Sequence, residues 1–150
     1  YFLQRYLESG DKLRQEIGDD LTYASGLRAL LPPYGGPSML LYRGESPLNR
    51  KRRTYGLSWS KKRDVARAFA ETRPYRCWEG GTVLLATRAM PEAIICAPSM
   101  IANNYGEHEF IIDRRRLGKV QVEERFPQLT DEKYNTLRKE IDASDRPSAC

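Results

Sequence analysis

Two glutamates one residue apart, Glu107 and Glu109, stand immediately before the apolar residues 110–112. In a β-strand, residues two apart point to the same face and lie roughly 6.6 Å apart, so both carboxylates are expected to face one site. Carboxylates fixed in this way suit acid or base catalysis, or the stabilisation of positive charge that develops in a reaction. The alternative is a solvated strand edge. His108 alternates with the glutamates and is expected to face the other side.

Two earlier segments carry further groups that could join this site. Arg43 ends the apolar run 38–43, where a guanidinium needs an anion; its fork suits a phosphate or a carboxylate, and the alternative is an ion pair with a local acid. Ser58 and Ser60 share one face of a predicted short strand, 56–60, and Trp59 is expected in the core. Ser58 could orient a carboxylate or be a plain turn hydroxyl, whereas Ser60 also suits a helix N-cap.

The composition predicts one soluble globular domain. The chain has 150 residues, of which 40% are hydrophobic and 30% charged, and it has no run of about 18 apolar residues that would predict a membrane span. No signal-peptide pattern begins it. Its three cysteines lack zinc-site spacing and favour a reducing, cytoplasmic setting; Cys96 is expected in the core. Neither G-x-G-x-x-G nor a P-loop occurs.

Positive charge is concentrated in one part of the chain. The net charge is +5, but residues 43–76 hold eleven Lys or Arg against three Asp or Glu. Such a field favours polyanions or phosphate-bearing ligands, and its alternative is ordinary surface solvation. The clusters 50–53, 61–63 and 114–116 could bind nucleic-acid phosphates, although no RNA- or DNA-reading motif is present.

The order of predicted elements indicates an α+β fold rather than a doubly wound α/β fold. Apolar spacing predicts two helices within 1–31, a loop at 32–37, and a basic exposed loop at 49–55. A helix at 61–72 is expected to bury Val65, Ala66, Phe69 and Ala70, and Thr130 to cap a last helix, 131–141. The remaining predicted strands are 82–87, 93–96, 105–113 and 119–122.

Taken together, the strand-end arginine, the Ser-x-Ser strand with its following helix, and the Glu-x-Glu strand resemble the R-S-E class of ADP-ribosyltransferases. The similarity spans about residues 40–113, and Trp59 stands where the family has a small residue. It implies one domain, 1–150, with a helical lead-in (1–36), a catalytic core (38–126) and a C-terminal helix (130–142). The implied core is a split, mixed or antiparallel sheet. The stretches that carry the resemblance are Tyr42-Arg43-Gly44-Glu45, Gly56-Leu57-Ser58-Trp59-Ser60, Asp64-Val65-Ala66-Arg67-Ala68-Phe69-Ala70 and Tyr105-Gly106-Glu107-His108-Glu109.

The resemblance also implies a role for each site residue. Glu109 would be the catalytic carboxylate, with Ser58 positioning it, and Glu107 would be the acid on the acceptor side. Tyr105 would belong with Glu107 to the substrate-recognition loop. NAD would be the substrate, with no metal, and Arg43 would hold an NAD phosphate or the nicotinamide ribose. The residues expected at NAD are Arg43, Gly44, Ser58 and Ser60.

The implied activity is transfer of ADP-ribose from NAD to a macromolecular acceptor, by a bacterial or phage effector or toxin acting in a cytosol. A Glu at the first acidic position accompanies guanidinium acceptors in that family, which favours a protein arginine. RNA is the other acceptor, recruited by the basic segment 49–53. The alternatives are an NAD glycohydrolase, an RNA- or DNA-modifying enzyme of the same fold, a non-catalytic nucleic-acid-binding domain and an inactive interaction protein.

The chemistry agrees with the residue types. Cleavage of the nicotinamide–ribose bond leaves a cationic sugar resembling the transition state of glycoside hydrolysis. An ionised Glu109 would stabilise that charge as it appears. Arg43 or a hydrogen bond from Ser58 is expected to keep the carboxylate ionised.

Overall fold

The computed structural model describes residues 19–72, 79–98 and 109–144. The predicted first helix, and the predicted site residues Tyr105 and Glu107, lie outside these ranges. The helices are α1 (Asp20–Leu30), α2 (Pro47–Arg52), α3 (Arg63–Thr72) and α4 (Asp131–Ser144). The strands are β1 (Met39–Glu45), β2 (Ser58–Ser60), β3 (Thr82–Ala89), β4 (Ile94–Cys96), β5 (Glu109–Ile112) and β6 (Val120–Phe126).

Within the described ranges the strands form one six-stranded sheet in the order β4-β5-β2-β1-β3-β6. All of its pairs are antiparallel, so the α+β class is confirmed. Strand β1 pairs with β3 along its full length, but it pairs with β2 at one position, Tyr42 opposite Ser60. The sheet therefore consists of two three-stranded halves joined through a single residue pair.

Helices α1 and α3 pack against the same face of the sheet, one on each half. Tyr23, Ala24 and Leu27 of α1 pack on the β4–β5–β2 half, with Leu57, Cys96 and Ile111. Ala66 and Ala70 of α3 pack on the other half, with Tyr42, Leu84 and Phe126. The opposite face carries the largest buried cluster, in which Trp59 contacts aliphatic residues of the neighbouring strands, as predicted for Trp59.

The segment 49–55 is not the exposed loop that its basic composition predicts. Residues Pro47–Arg52 form α2, because the Ser46 hydroxyl caps the first turn and Pro47 supplies a φ suited to it. Arg53 ends the helix in a left-handed conformation. Tyr55 is buried, edge-on to the Trp59 ring.

Helix α3 buries a narrower stripe than predicted. Ala66 and Ala70 are buried, but Val65 and Phe69 are 38% and 47% exposed. The small residues let the helix lie close to β1, where a Cβ on Gly44 would come within 2.9 Å of the Ala70 nitrogen. The contact is therefore a close backbone approach, and the larger side chains are left at its margin.

The other helices and strands predicted within the described ranges are present, but some of their ends differ. Strand β2 begins two residues later than the predicted 56–60, and β6 ends four residues beyond the predicted 119–122. Strand β1 runs two residues beyond the predicted 38–43, and α4 begins after Thr130, whose hydroxyl accepts from the Lys133 nitrogen at 3.4 Å. Cys96 is in the core. No helix in the described ranges is both long and apolar enough to cross a membrane.

Candidate active site

Ser58, Ser60 and Glu109 lie on the face of the sheet that carries α1 and α3. Ser60 stands opposite both Tyr42 and Glu109, and Ser58 opposite Ile111, and paired residues of antiparallel strands share a face. These three side chains consequently lie where the two halves of the sheet meet, between the parts covered by the two helices.

The Ser58 hydroxyl donates a hydrogen bond to Oε1 of Glu109. The two residues are 51 positions apart in the chain and lie on adjacent strands, and both are half-buried. Among the described residues, Ser58 is the one hydrogen-bond donor to this carboxylate. This is the contact that the hypothesis of a serine-oriented catalytic glutamate requires.

Ser60, one of the residues expected at NAD, has a local structural contact. Its hydroxyl accepts from the Lys62 nitrogen at 3.0 Å, and the side chain is buried. Helix α3 begins at Arg63, two residues later than predicted. The hydroxyl therefore fixes the turn between β2 and α3, close to its predicted N-cap role.

The Glu109 carboxylate lies near a phenol and a thiol that sequence reasoning did not connect to it. Burial, and after it the charge of Glu109, raises the pKa of Tyr23 to about 12 and that of Cys96 to about 11. Both groups are neutral at pH 7, and Cys96 is unsuited to act as a thiolate nucleophile. No local sequence signal could have found Tyr23, since α1 reaches β5 through tertiary packing alone.

Arg43 approaches Ser58 from the other face of the sheet. It stands opposite Leu85, whose side chain is in the cluster around Trp59. Its Nε donates to Oε2 of Glu45 at 2.9 Å, and its Nη1 donates to the main-chain oxygen of Ser58 at 2.7 Å. Its Nη2 faces Gly56, where a Cβ would be 2.1 Å away. Arg43 is therefore linked to Glu109 through Ser58, whose main chain it binds. The alternative expected for Arg43, an ion pair with a local acid, is present, and the acid is Glu45.

Glu45 belongs to the hydrogen-bond network around Arg43, and sequence reasoning did not identify it as part of the site. It is 6% exposed, and its carboxylate accepts from the nitrogens of Ser46 and Gly56, from Asn49 Nδ2 and from Arg43. Burial pushes its pKa upward, but the charge of Arg43 and these hydrogen bonds outweigh burial, so the pKa lies below its usual value. The signal in the sequence was the Arg-x-Glu spacing, which puts both side chains on one strand face.

A cavity of about 200 Å³ opens beside this network. It is lined by the 43–45 end of β1, the first turn of α2, and Phe69 and Ala70 of α3. Arg43 and Gly44, both expected at NAD, therefore share a cavity, whereas Ser58, Ser60 and Glu109 are not among its described lining residues. The absence of a side chain at Gly44 is explained by its contact with α3.

Many of the cations that suggested a nucleic-acid surface have structural partners. Arg115 binds the buried carboxylate of Asp113, Arg114 binds Asp20 at 3.3 Å, and Arg53 donates to the main-chain oxygens of residues 117 and 118. In α2, by contrast, three consecutive cations are exposed: Arg50, Lys51 and Arg52.

The geometry defines a carboxylate oriented by a serine on the adjacent strand, with an arginine bound to the main chain of that serine.

No group of His, Cys, Asp and Glu in the described ranges is arranged to hold a metal ion. Comparisons of the chain with protein-family models, with curated proteins and with solved structures return no match.

Proposed function

We propose that the protein is an ADP-ribosyltransferase, which cleaves NAD between nicotinamide and ribose and transfers the ADP-ribose to a macromolecular acceptor. The observation that carries the proposal is the hydrogen bond from Ser58 to Glu109. It joins two of the three motifs that suggested this activity, and the third motif is attached to it through the bond from Arg43 to the Ser58 oxygen.

The arrangement of the sheet supports the finer fold assignment. A split sheet needs two halves that separate near the site, and here β1 and β2 pair only at Tyr42 and Ser60. Ser58 lies two residues beyond this point, where the strands have parted. The oriented carboxylate is thus located at the junction of the halves, the position that the proposed fold requires of it.

In the proposed reaction the nicotinamide nitrogen leaves the ribose with the electrons of the broken bond. Positive charge develops on the sugar, and the carboxylate of Glu109 stabilises it through the transition state. The Ser58 hydroxyl holds the carboxylate in place, so that little reorganisation is needed when the charge appears. A nucleophile then bonds to the sugar carbon, and Glu107 accepts the proton that it loses.

The proposed acceptor is a protein arginine, as the Glu at position 107 suggests, and the setting is an effector or toxin acting in a cytosol. RNA is the second candidate, favoured by one observation: Arg50, Lys51 and Arg52 lie on the same short helix as Asn49, which adjoins the cavity together with the N-cap residue Ser46. An anionic acceptor bound there would lie beside the cavity that Arg43 and Glu45 line. Its labelling would fall steeply with added salt.

The test is incubation of the pure protein with NAD labelled in the ADP-ribose part, together with cell protein and RNA. Label in protein supports the leading proposal, label in RNA supports the second candidate, and free ADP-ribose would indicate a glycohydrolase. Glu109→Gln should abolish all three products while NAD binding, measured by calorimetry, and the circular dichroism spectrum are retained. Unchanged labelling by this variant, or no NAD cleavage by the wild type, would refute the proposal.

A further inference from the structure

The ion pair between Arg43 and Glu45 stands where β1 and β2 part. If β1 and β2 continued to pair beyond Tyr42 and Ser60, Gly44 would lie opposite Ser58. The main-chain pairing of the two strands instead ends at Tyr42 and Ser60. The main-chain oxygen of Ser58 instead accepts from Arg43, and the Gly56 nitrogen donates to Glu45 at 3.0 Å. Side chains of β1 therefore bind the main chain of β2 at Ser58 and the main chain just before β2 at Gly56.

These two bonds hold the main chain at Gly56 and at Ser58, on either side of Leu57. Buried main-chain groups need partners. Strand β2 pairs with β5 along its three residues but with β1 at only one position, so these two bonds hold it on the side of β1. We infer that the Arg43–Glu45 pair is a positioning element, which holds the Ser58 hydroxyl in reach of Glu109 and acts through the Ser58 main chain rather than on the anionic part of the substrate. This inference rests on the proposed function.

The guanidinium of Arg43 is poorly placed to hold a phosphate. Its Nε–H and one N–H of its Nη1 are used, and its Nη2 lies against Gly56. If it moved to a bound anion, it would leave the carboxylate of Glu45 almost fully buried without its cation. Removing one partner of a buried ion pair is strongly unfavourable, so the pair is expected to persist when substrate binds.

Gly56→Ala separates the two roles, because it displaces the guanidinium without removing its charge. The added Cβ would lie 2.1 Å from Nη2 and 2.5 Å from Cζ of Arg43, and a flexible side-chain end can move away. Gly56 does not have a positive φ, so alanine adds no backbone strain. A positioning role predicts that kcat for NAD cleavage falls about 10- to 150-fold, the range for loss of a hydrogen bond to a charged group, while the Kd for NAD changes less than about threefold.

Arg43→Lys provides a second variant, because it keeps the charge but cannot bridge Glu45 and the Ser58 oxygen together. It should lower kcat to a similar degree, and the double variant with Gly56→Ala should be no worse than either single one, since both remove the same contact. A Kd for NAD weakened about tenfold with kcat unchanged would instead make Arg43 a ligand residue and overturn the inference. Full activity of both single variants would also overturn it.

A readout that needs no catalysis keeps the inference separate from the proposed function. In carbon-13 NMR, the carboxyl resonance of Glu109 should shift in Arg43→Lys toward its position in Ser58→Ala, although Arg43 does not touch that carboxylate. An unmoved resonance would refute the positioning role. If the wild type does not cleave NAD, the proposed function fails, and this resonance still decides whether Arg43 controls the Ser58–Glu109 contact.

Discussion

Replacing Ser58 by alanine removes the hydrogen bond that orients the Glu109 carboxylate. A hydrogen bond to a charged group is worth about 1.5–3 kcal/mol, and about 1.4 kcal/mol corresponds to tenfold in rate. Full loss of this energy in the transition state would lower kcat about 10- to 150-fold. Because both side chains are half-buried, water can restore part of the interaction, and we expect a loss of about 10- to 30-fold.

The assay is release of nicotinamide at saturating NAD, with the free energy of unfolding measured in urea. A control is Thr87→Val, which removes a buried hydroxyl that donates to the Lys119 oxygen at 2.8 Å in the other half of the sheet. It should destabilise the fold by about 1–3 kcal/mol and leave kcat within about threefold of the wild type. Equal kcat values for the two variants would refute the assigned role of Ser58.

Three further predictions concern the site and its support. Gly44→Ala should destabilise the fold by about 1–3 kcal/mol through overpacking, because its Cβ would meet the Ala70 nitrogen, whereas Gly26→Ala in α1 has open space and should stabilise by about 0.5–1 kcal/mol. Glu107→Ala should lose acceptor labelling and keep some NAD hydrolysis. Stability should fall as the pH drops below about 4, since burial raises but partner arginines lower the pKa of Glu45 and Asp113, to a net value below the usual one.

The sign of the pH effect follows from linkage. A carboxyl whose pKa is lowered on folding stabilises the protein above its unfolded pKa, and this contribution is lost as the pH falls through the folded value. Glu45→Gln should therefore make the urea midpoint less sensitive to acid. A wild-type midpoint that is constant down to pH about 3 would contradict this reasoning, as would equal stability of Gly44→Ala and Gly26→Ala, or equal loss of both activities in Glu107→Ala.

Much of the fold could be predicted because local patterns and tertiary packing agree. The alternation in β2 places Ser58 and Ser60 on one face and Trp59 on the other. As predicted, the two serines share a face and Trp59 lies in the core. The failures occur where packing overrides composition. The basic segment 49–55 forms a capped helix with a buried Tyr55, and α3 buries alanines because Gly44 permits close contact.

The sequence by itself determined the class of fold, the alternation that puts Ser58 and Ser60 on one face of their strand, and the residue types of the proposed site. Periodicity and residue chemistry are local properties, so they can be read without coordinates. Only the tertiary structure decided that Ser58 and Glu109 face one site, that β1 and β2 part after one residue pair, and that Arg43 turns to Glu45 and the Ser58 main chain. It also packs Tyr23 of α1 on the half of the sheet that contains Glu109. These features depend on strand pairing and helix packing between distant segments, which no short stretch of sequence specifies.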